Sequence, residues 1–146
     1  MYLGRLLIAA TLMMGATAAQ AGATLYKCKL TNRYSRSFMS KTLEIAYNAQ
    51  TGEAKAVDGL IWQTYGKGIP VKLVVDNPAR ITFRWEVKNV KGRSRGVANT
   101  IPGVSESVTL LKDTMDVQVQ QMPLGYDNSF SGSGHCTAQP YIARRK

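Results

Sequence analysis

The two cysteines and the single histidine are the residues of this chain with the most distinctive chemistry. Cys28 and Cys136 lie far apart, near the two ends of the sequence that follows an apolar N-terminal segment. Redox or metal chemistry would favour Cys-x-x-Cys spacing or several histidines, and the sequence has neither. Two cysteines allow only one intramolecular pair, so we predict a structural disulfide between Cys28 and Cys136.

His135 is the only histidine, so a zinc site would need carboxylates brought to it by the fold. It could serve as a general base, but no G-x-S-x-G motif indicates a nucleophile beside it. The acidic residues are scattered and form no calcium loop. We therefore predict no catalytic residue, no metal site and no cofactor. An enzyme with a cleft around His135 remains an alternative.

Basic residues dominate the charge of the chain, with 19 lysines and arginines against 9 acidic residues. A cluster of them falls on the polar face of one predicted strand and on the glycine-bearing segment after it. These residues are Arg80, Arg84, Lys88, Lys91, Arg93 and Arg95. Guanidinium groups suit phosphate and carboxylate. The cluster predicts an anionic partner, either lipid, lipopolysaccharide or an acidic protein, and the alternative is a solvated face that blunts strand edges.

The first 21 residues have the pattern of a secretion signal. Arg5 supplies the positive charge, an apolar run follows, and Ala19-Gln20-Ala21 is a small-residue cleavage site. We expect cleavage near Ala21 and a periplasmic or secreted bacterial protein. The apolar run is too short to span a bilayer, and we expect no transmembrane segment in the mature chain. We expect no nucleic acid partner, because a secreted protein seldom meets one.

Alternation of apolar and polar residues predicts strands throughout the mature chain. The clearest runs are Tyr26–Leu30, Leu43–Tyr47, Ile81–Val87 and Met115–Val119. In the third run we expect Trp85 in the core and Arg84 in water. We read Asp58-Gly59 as a tight turn, Leu60–Tyr65 as the returning strand, and Lys91–Gly96 as a loop. Trp62 is then expected in the core, and we find no amphipathic helix.

These elements predict one all-β domain, a single antiparallel meander of about eight strands in a closed or nearly closed small barrel. A sandwich whose terminal strands meet across the core is the alternative. The disulfide would join its first and last strands. The domain boundaries are residues 1–21 for the signal peptide, 22–138 for the barrel and 139–146 for a basic C-terminal tail.

Tyr26-Lys27-Cys28 in the first strand, with Cys136 in the last, resembles the small periplasmic C-type lysozyme inhibitors. That resemblance implies a compact antiparallel barrel with a similar cystine and a protein partner. Ser131-Gly132-Ser133-Gly134 departs from the inhibitory segment of that family. The charge departs as well, since a basic inhibitor would repel a basic lysozyme.

The function predicted from the sequence is non-enzymatic binding of an unknown ligand in the periplasm by a small β-barrel, through a basic face or a barrel cavity. Anionic envelope components are the candidate ligands of the basic face. A protein–protein module similar to the lysozyme inhibitors is the first alternative, and an enzyme is the second.

Overall fold

The chain folds into a closed barrel of eight antiparallel strands in a computed structural model that describes residues 22–33, 37–94 and 97–142. Each strand pairs with its neighbours in sequence, and the first pairs with the last. The strands are β1 (Thr24–Arg33), β2 (Thr42–Tyr47), β3 (Ala54–Asp58), β4 (Ile69–Asp76), β5 (Arg80–Ser94), β6 (Val97–Leu111), β7 (Asp116–Pro123) and β8 (Phe130–Pro140). The predicted closed meander is confirmed. The predicted signal peptide and residues 143–146 lie outside the described residues.

Alternation along β5 separates the core from the surface, as the sequence predicts. Its inward side chains are Ile81, Phe83, Trp85 and Val87, each at most 6% exposed. Arg84 and Glu86 face water. Across the barrel, Phe83 meets Tyr47 of β2 edge to face, with ring centroids 5.3 Å apart. Burying such side chains stabilises the fold by about 1.5–3 kcal/mol each, so the barrel interior is the hydrophobic core.

The barrel closes between β1 and β8, where Cys28 lies directly opposite Cys136. The two residues form a disulfide with their Cα atoms 3.9 Å apart, so the predicted pairing is confirmed. Gly134 lies two residues before Cys136. A Cβ atom there would overlap the carbonyl oxygen of Lys29 and lie 2.8 Å from the Cα of Leu30. Glycine is therefore required for β1 and β8 to approach this closely.

One helix interrupts the meander, and the strand predicted over Leu60–Tyr65 is wrong. Gly59–Tyr65 forms α1 between β3 and β4. Asp58 is its N-cap, because its carboxylate accepts the backbone N–H of Ile61 at 2.7 Å. Gly66 ends the helix in the left-handed conformation. The helix buries Leu60 and Ile61 and lies at the end of the barrel where β3 finishes.

The outer side of α1 faces solvent, which corrects the expectation that Trp62 belongs to the core. Trp62 is 62% exposed. Tyr65 lies beside β5, where its hydroxyl accepts the backbone N–H of Lys88 at 2.8 Å. Pairing of β4 with β5 extends only as far as Arg84, so α1 satisfies a backbone group that β4 leaves without a partner.

The loop predicted over Lys91–Gly96 is wrong for its first four residues, because Lys91–Ser94 continues β5 and pairs with β6. Within β5, Asn89 adopts a left-handed backbone with φ 53°. The alternation of inward and outward side chains shifts by one residue at Asn89, since Lys88 and Asn89 both face water. The shift turns Val90 inward, where it is buried opposite Ile101.

Candidate functional site

Five exposed cations occupy the outer surface of β4 and β5. Arg80, Arg84 and Lys88 point outward from β5, as the sequence predicts, and Lys91 follows on the extended hairpin. Lys72 of β4 lies directly opposite Arg84 and was missed from the sequence. We call these five residues the basic face. Their proximity results from the pairing of β4 with β5, which a single sequence does not show.

The other two predicted basic residues cannot be placed on this surface. Arg93 pairs with Ala98 in the hairpin, but its side chain is outside the described part of the structure, and Arg95 is outside it entirely.

A single carboxylate, Glu86, is exposed among these cations on β5. Among the described residues, the ion pairs made by lysine or arginine are Lys27–Glu44 and Lys112–Asp76. None of them involves the basic face. The face therefore keeps a positive excess that is available to an external anion.

The basic face continues into an uncharged polar row across the neighbouring strands. The pairing register places Lys72, Arg84, Ser107, Gln120 and Ser131 side by side on β4 to β8. Adjacent strands lie about 4.8 Å apart, so the row covers roughly 19 Å of curved surface. Two cations at one end are thus followed by three side chains that both donate and accept hydrogen bonds.

Two open clefts lie along this row and share Gln120 and Ser131. The first has a volume of about 460 Å³ and includes Arg84, Ser107 and Met122. The second, of about 480 Å³, reaches Arg33 at the end of β1. We call the two clefts together the Arg84–Arg33 groove. It has an arginine at each end and uncharged polar side chains between them.

A buried polar cluster lies inside the barrel and was also missed from the sequence. Trp85, Glu106 and Gln121 are neighbours in register on β5, β6 and β7, and all three are buried. Trp85 Nε1, Glu106 Oε2 and both amide atoms of Gln121 have no hydrogen-bond partner. Such unsatisfied buried atoms are rare in native proteins. Glu106 interrupts an otherwise apolar inward series, and this interruption is the sequence signal that could have revealed the cluster.

Glu106 retains a proton at neutral pH. Burial, together with the nearby Asp58, raises its pKa to about 8. Gln121 and Trp85 lie close enough to lower the pKa of Glu106 somewhat, although their N–H groups do not reach hydrogen-bond geometry. Burial also raises the pKa of Asp58, but the N–H groups of α1 favour its charged form. Glu106 is therefore the carboxyl of this pair that holds the proton.

His135 and Asp116 form a surface pair on β8 and β7. His135 Nδ1 lies 3.3 Å from Asp116 Oδ1, and both side chains are more than half exposed. The hydrogen bond from His135 lowers the pKa of Asp116. His135 lines neither cleft of the Arg84–Arg33 groove, and its side chain is 60% exposed.

A second polar network joins strands at the end of the barrel opposite α1. The Tyr47 hydroxyl donates to Asp76 at 2.6 Å, and the ammonium of Lys112 lies 2.6 Å from the other oxygen of the same carboxylate. Burial and this hydrogen bond raise the pKa of Tyr47 to about 12. The network links β2, β4 and the turn after β6, which is a structural role.

Comparison with known proteins gives no match to a family model, to a curated protein or to a solved structure. Within the described residues, no helix has the length and apolar character needed to cross a membrane. In the same part of the chain, no three metal-ligating side chains gather into a site.

Proposed function

We propose that this protein is exported and binds anionic components of a bacterial envelope through its basic face, without catalysing a reaction. The observation that carries the proposal is the group of exposed cations on β4 and β5, centred on Lys72, Arg84 and Lys88. The export signal expected from the sequence would bring this surface to anionic lipid head groups and lipopolysaccharide. Clustered charge of one sign speeds association with oppositely charged surfaces, and added salt weakens this attraction by screening it.

Binding to lipid vesicles tests the proposal. Wild-type protein should sediment with phosphatidylglycerol vesicles at low salt and not with neutral phosphatidylcholine vesicles. Changing Arg80, Arg84 and Lys88 together to Ser should weaken binding about a hundredfold, since each cation near an anionic membrane contributes about 1 kcal/mol.

A matched control changes three cations on the other side of the barrel. Lys27 and Lys29 are exposed on β1, which lies four strands from β5 in either direction, and Lys41 is exposed just before β2. Changing all three to Ser lowers the net charge equally. This control should lose much less affinity. The proposal is wrong if wild type does not bind at low salt. It is also wrong if the two triple variants lose the same affinity, because net charge alone would then explain binding.

A further inference from the structure

We infer that the Arg84–Arg33 groove binds an acidic saccharide, a ligand rich in hydroxyl groups that carries carboxylates or phosphates. The inference rests on the proposed function and specifies the chemical class of the anionic ligand. It stands on the pairing register of five strands and on two clefts that share Gln120 and Ser131.

The two arginines supply the sites for negative charge. Arg84 is exposed on β5 beside Lys72. Arg33 is half-buried on β1, where Nη1 donates a long hydrogen bond of 3.5 Å to the carbonyl of Met39. A guanidinium has five N–H donors, and most of those on Arg33 have no partner among the described residues, so they can meet a ligand. The ends lie four strand spacings apart, and a ligand that meets both must be an extended chain.

The middle of the groove is suited to hydroxyl groups rather than to charge. Ser107, Gln120 and Ser131 carry no charge, and their side chains form no hydrogen bond within the described part of the chain. Serine hydroxyls and the glutamine amide both donate and accept hydrogen bonds, as sugar hydroxyls do. Met122, 54% exposed, adds an apolar contact that fits the C–H groups of a sugar ring.

Other extended anionic ligands fit this groove less well. A single-stranded nucleic acid needs cations along its backbone and aromatic platforms for its bases. Phe130 lines the groove but packs against the core, and the exposed Trp62 is on α1, outside the groove. A peptide added as a strand needs a free sheet edge, and β6 to β8 are paired on both sides. A bilayer would not match a concave strip of hydroxyl and amide groups. A saccharide with acidic groups fits both the arginines at the ends of the groove and the uncharged polar side chains in its middle.

Calorimetric titration at physiological salt tests the inference with two acidic probes. One is oligogalacturonate, which carries carboxylates, and the other is the phosphorylated oligosaccharide of deacylated lipopolysaccharide. Wild-type protein should bind at least one of them. It should bind the uncharged counterpart of that probe, carboxyl-reduced or dephosphorylated, about tenfold more weakly, because charge-assisted hydrogen bonds are the stronger ones.

Gln120→Ala is the decisive variant, because it keeps every charge. It should weaken saccharide binding about fivefold and leave vesicle binding and Tm unchanged. Gln63→Ala makes the same chemical change on the exposed side of α1 and should have no effect. Arg84→Ser should weaken saccharide and vesicle binding together.

The outcomes separate the two proposals. If wild type binds phosphatidylglycerol vesicles but neither acidic oligosaccharide, the inference is wrong and the proposed function stands. Saccharide binding that is equal in wild type and Gln120→Ala would also overturn the inference, because the groove would not be the site. If wild-type protein binds neither the vesicles nor the saccharides, both proposals are wrong.

Discussion

We predict that the protein becomes less stable as pH rises, because the buried carboxyl of Glu106 holds a proton in the folded state. The pKa of this group is about 8 in the fold, against an ordinary value of 4.5 that we take for the unfolded chain. Between these values the native state holds one proton more than the unfolded state. The contribution to stability is therefore complete below about pH 4.5 and is lost as pH rises through about 8.

The size of the effect follows from the pKa difference. Each pH unit in this window removes about 1.4 kcal/mol from the free energy of unfolding, and the whole window removes on the order of 5 kcal/mol. That loss is a large share of the stability of a small domain. Burial of the carboxyl is the largest cause of this pKa difference, and three neighbouring groups modify it. Asp58 adds repulsion once Glu106 ionises, while Gln121 and Trp85 favour the ionised form only weakly.

Glu106→Gln tests this reasoning, because the amide has nearly the same shape and does not titrate. Urea unfolding from pH 5 to pH 9 should show that the free energy of unfolding of the wild type falls as pH rises. The fall in the variant should be shallower by the contribution of one proton, about 1.4 kcal/mol per pH unit. The two proteins should have similar stability at pH 5, and the variant should be the more stable at pH 9. Glu86→Gln, an exposed change on β5, is the control and should follow wild type. Parallel curves for Glu106→Gln and wild type would refute the assignment of the proton to Glu106.

Two further predictions concern the closure between β1 and β8. Replacing Cys28 and Cys136 together by Ala should lower the free energy of unfolding by about 4–5 kcal/mol in the chain-entropy model, because the bridge spans 108 positions. Urea midpoints of the oxidised, reduced and Ala proteins measure this, and equal midpoints would contradict it. Gly134→Ala should lower Tm or prevent folding, since the added methyl meets the backbone of β1 2.8 Å from the Cα of Leu30. A variant with wild-type Tm would show that β1 can move aside.

Much of the barrel could be predicted because alternation with period two is a local signal. The inward and outward residues of β5 follow from it, and the disulfide follows from the cysteine count. The helix was missed because Leu60–Tyr65 is too short to show a helical period. Asp58-Gly59 is also ambiguous, since an aspartate before a glycine serves equally as a turn or as an N-cap.

The candidate site was only half predictable, because it depends on which strands are neighbours. Arg84 and Lys88 share one strand, so their common face is visible in the sequence. Lys72 and Gln120 join Arg84 only through the register of β4 to β7. The phase shift at Asn89 was invisible for a different reason, since a left-handed backbone at a single asparagine leaves no periodic trace.

The bridge between Cys28 and Cys136 also changes what the chain is as a covalent object. Oxidation converts the barrel into a macrocycle that contains all of β2 to β7. An unfolded macrocycle can enter a narrow channel only with two segments of chain side by side, and not as a single extended chain. Any machinery that pulls polypeptides through a pore one strand at a time would have to act before the bridge forms or after it is reduced. Closing the barrel covalently therefore blocks single-strand passage through such a pore until the bridge is reduced.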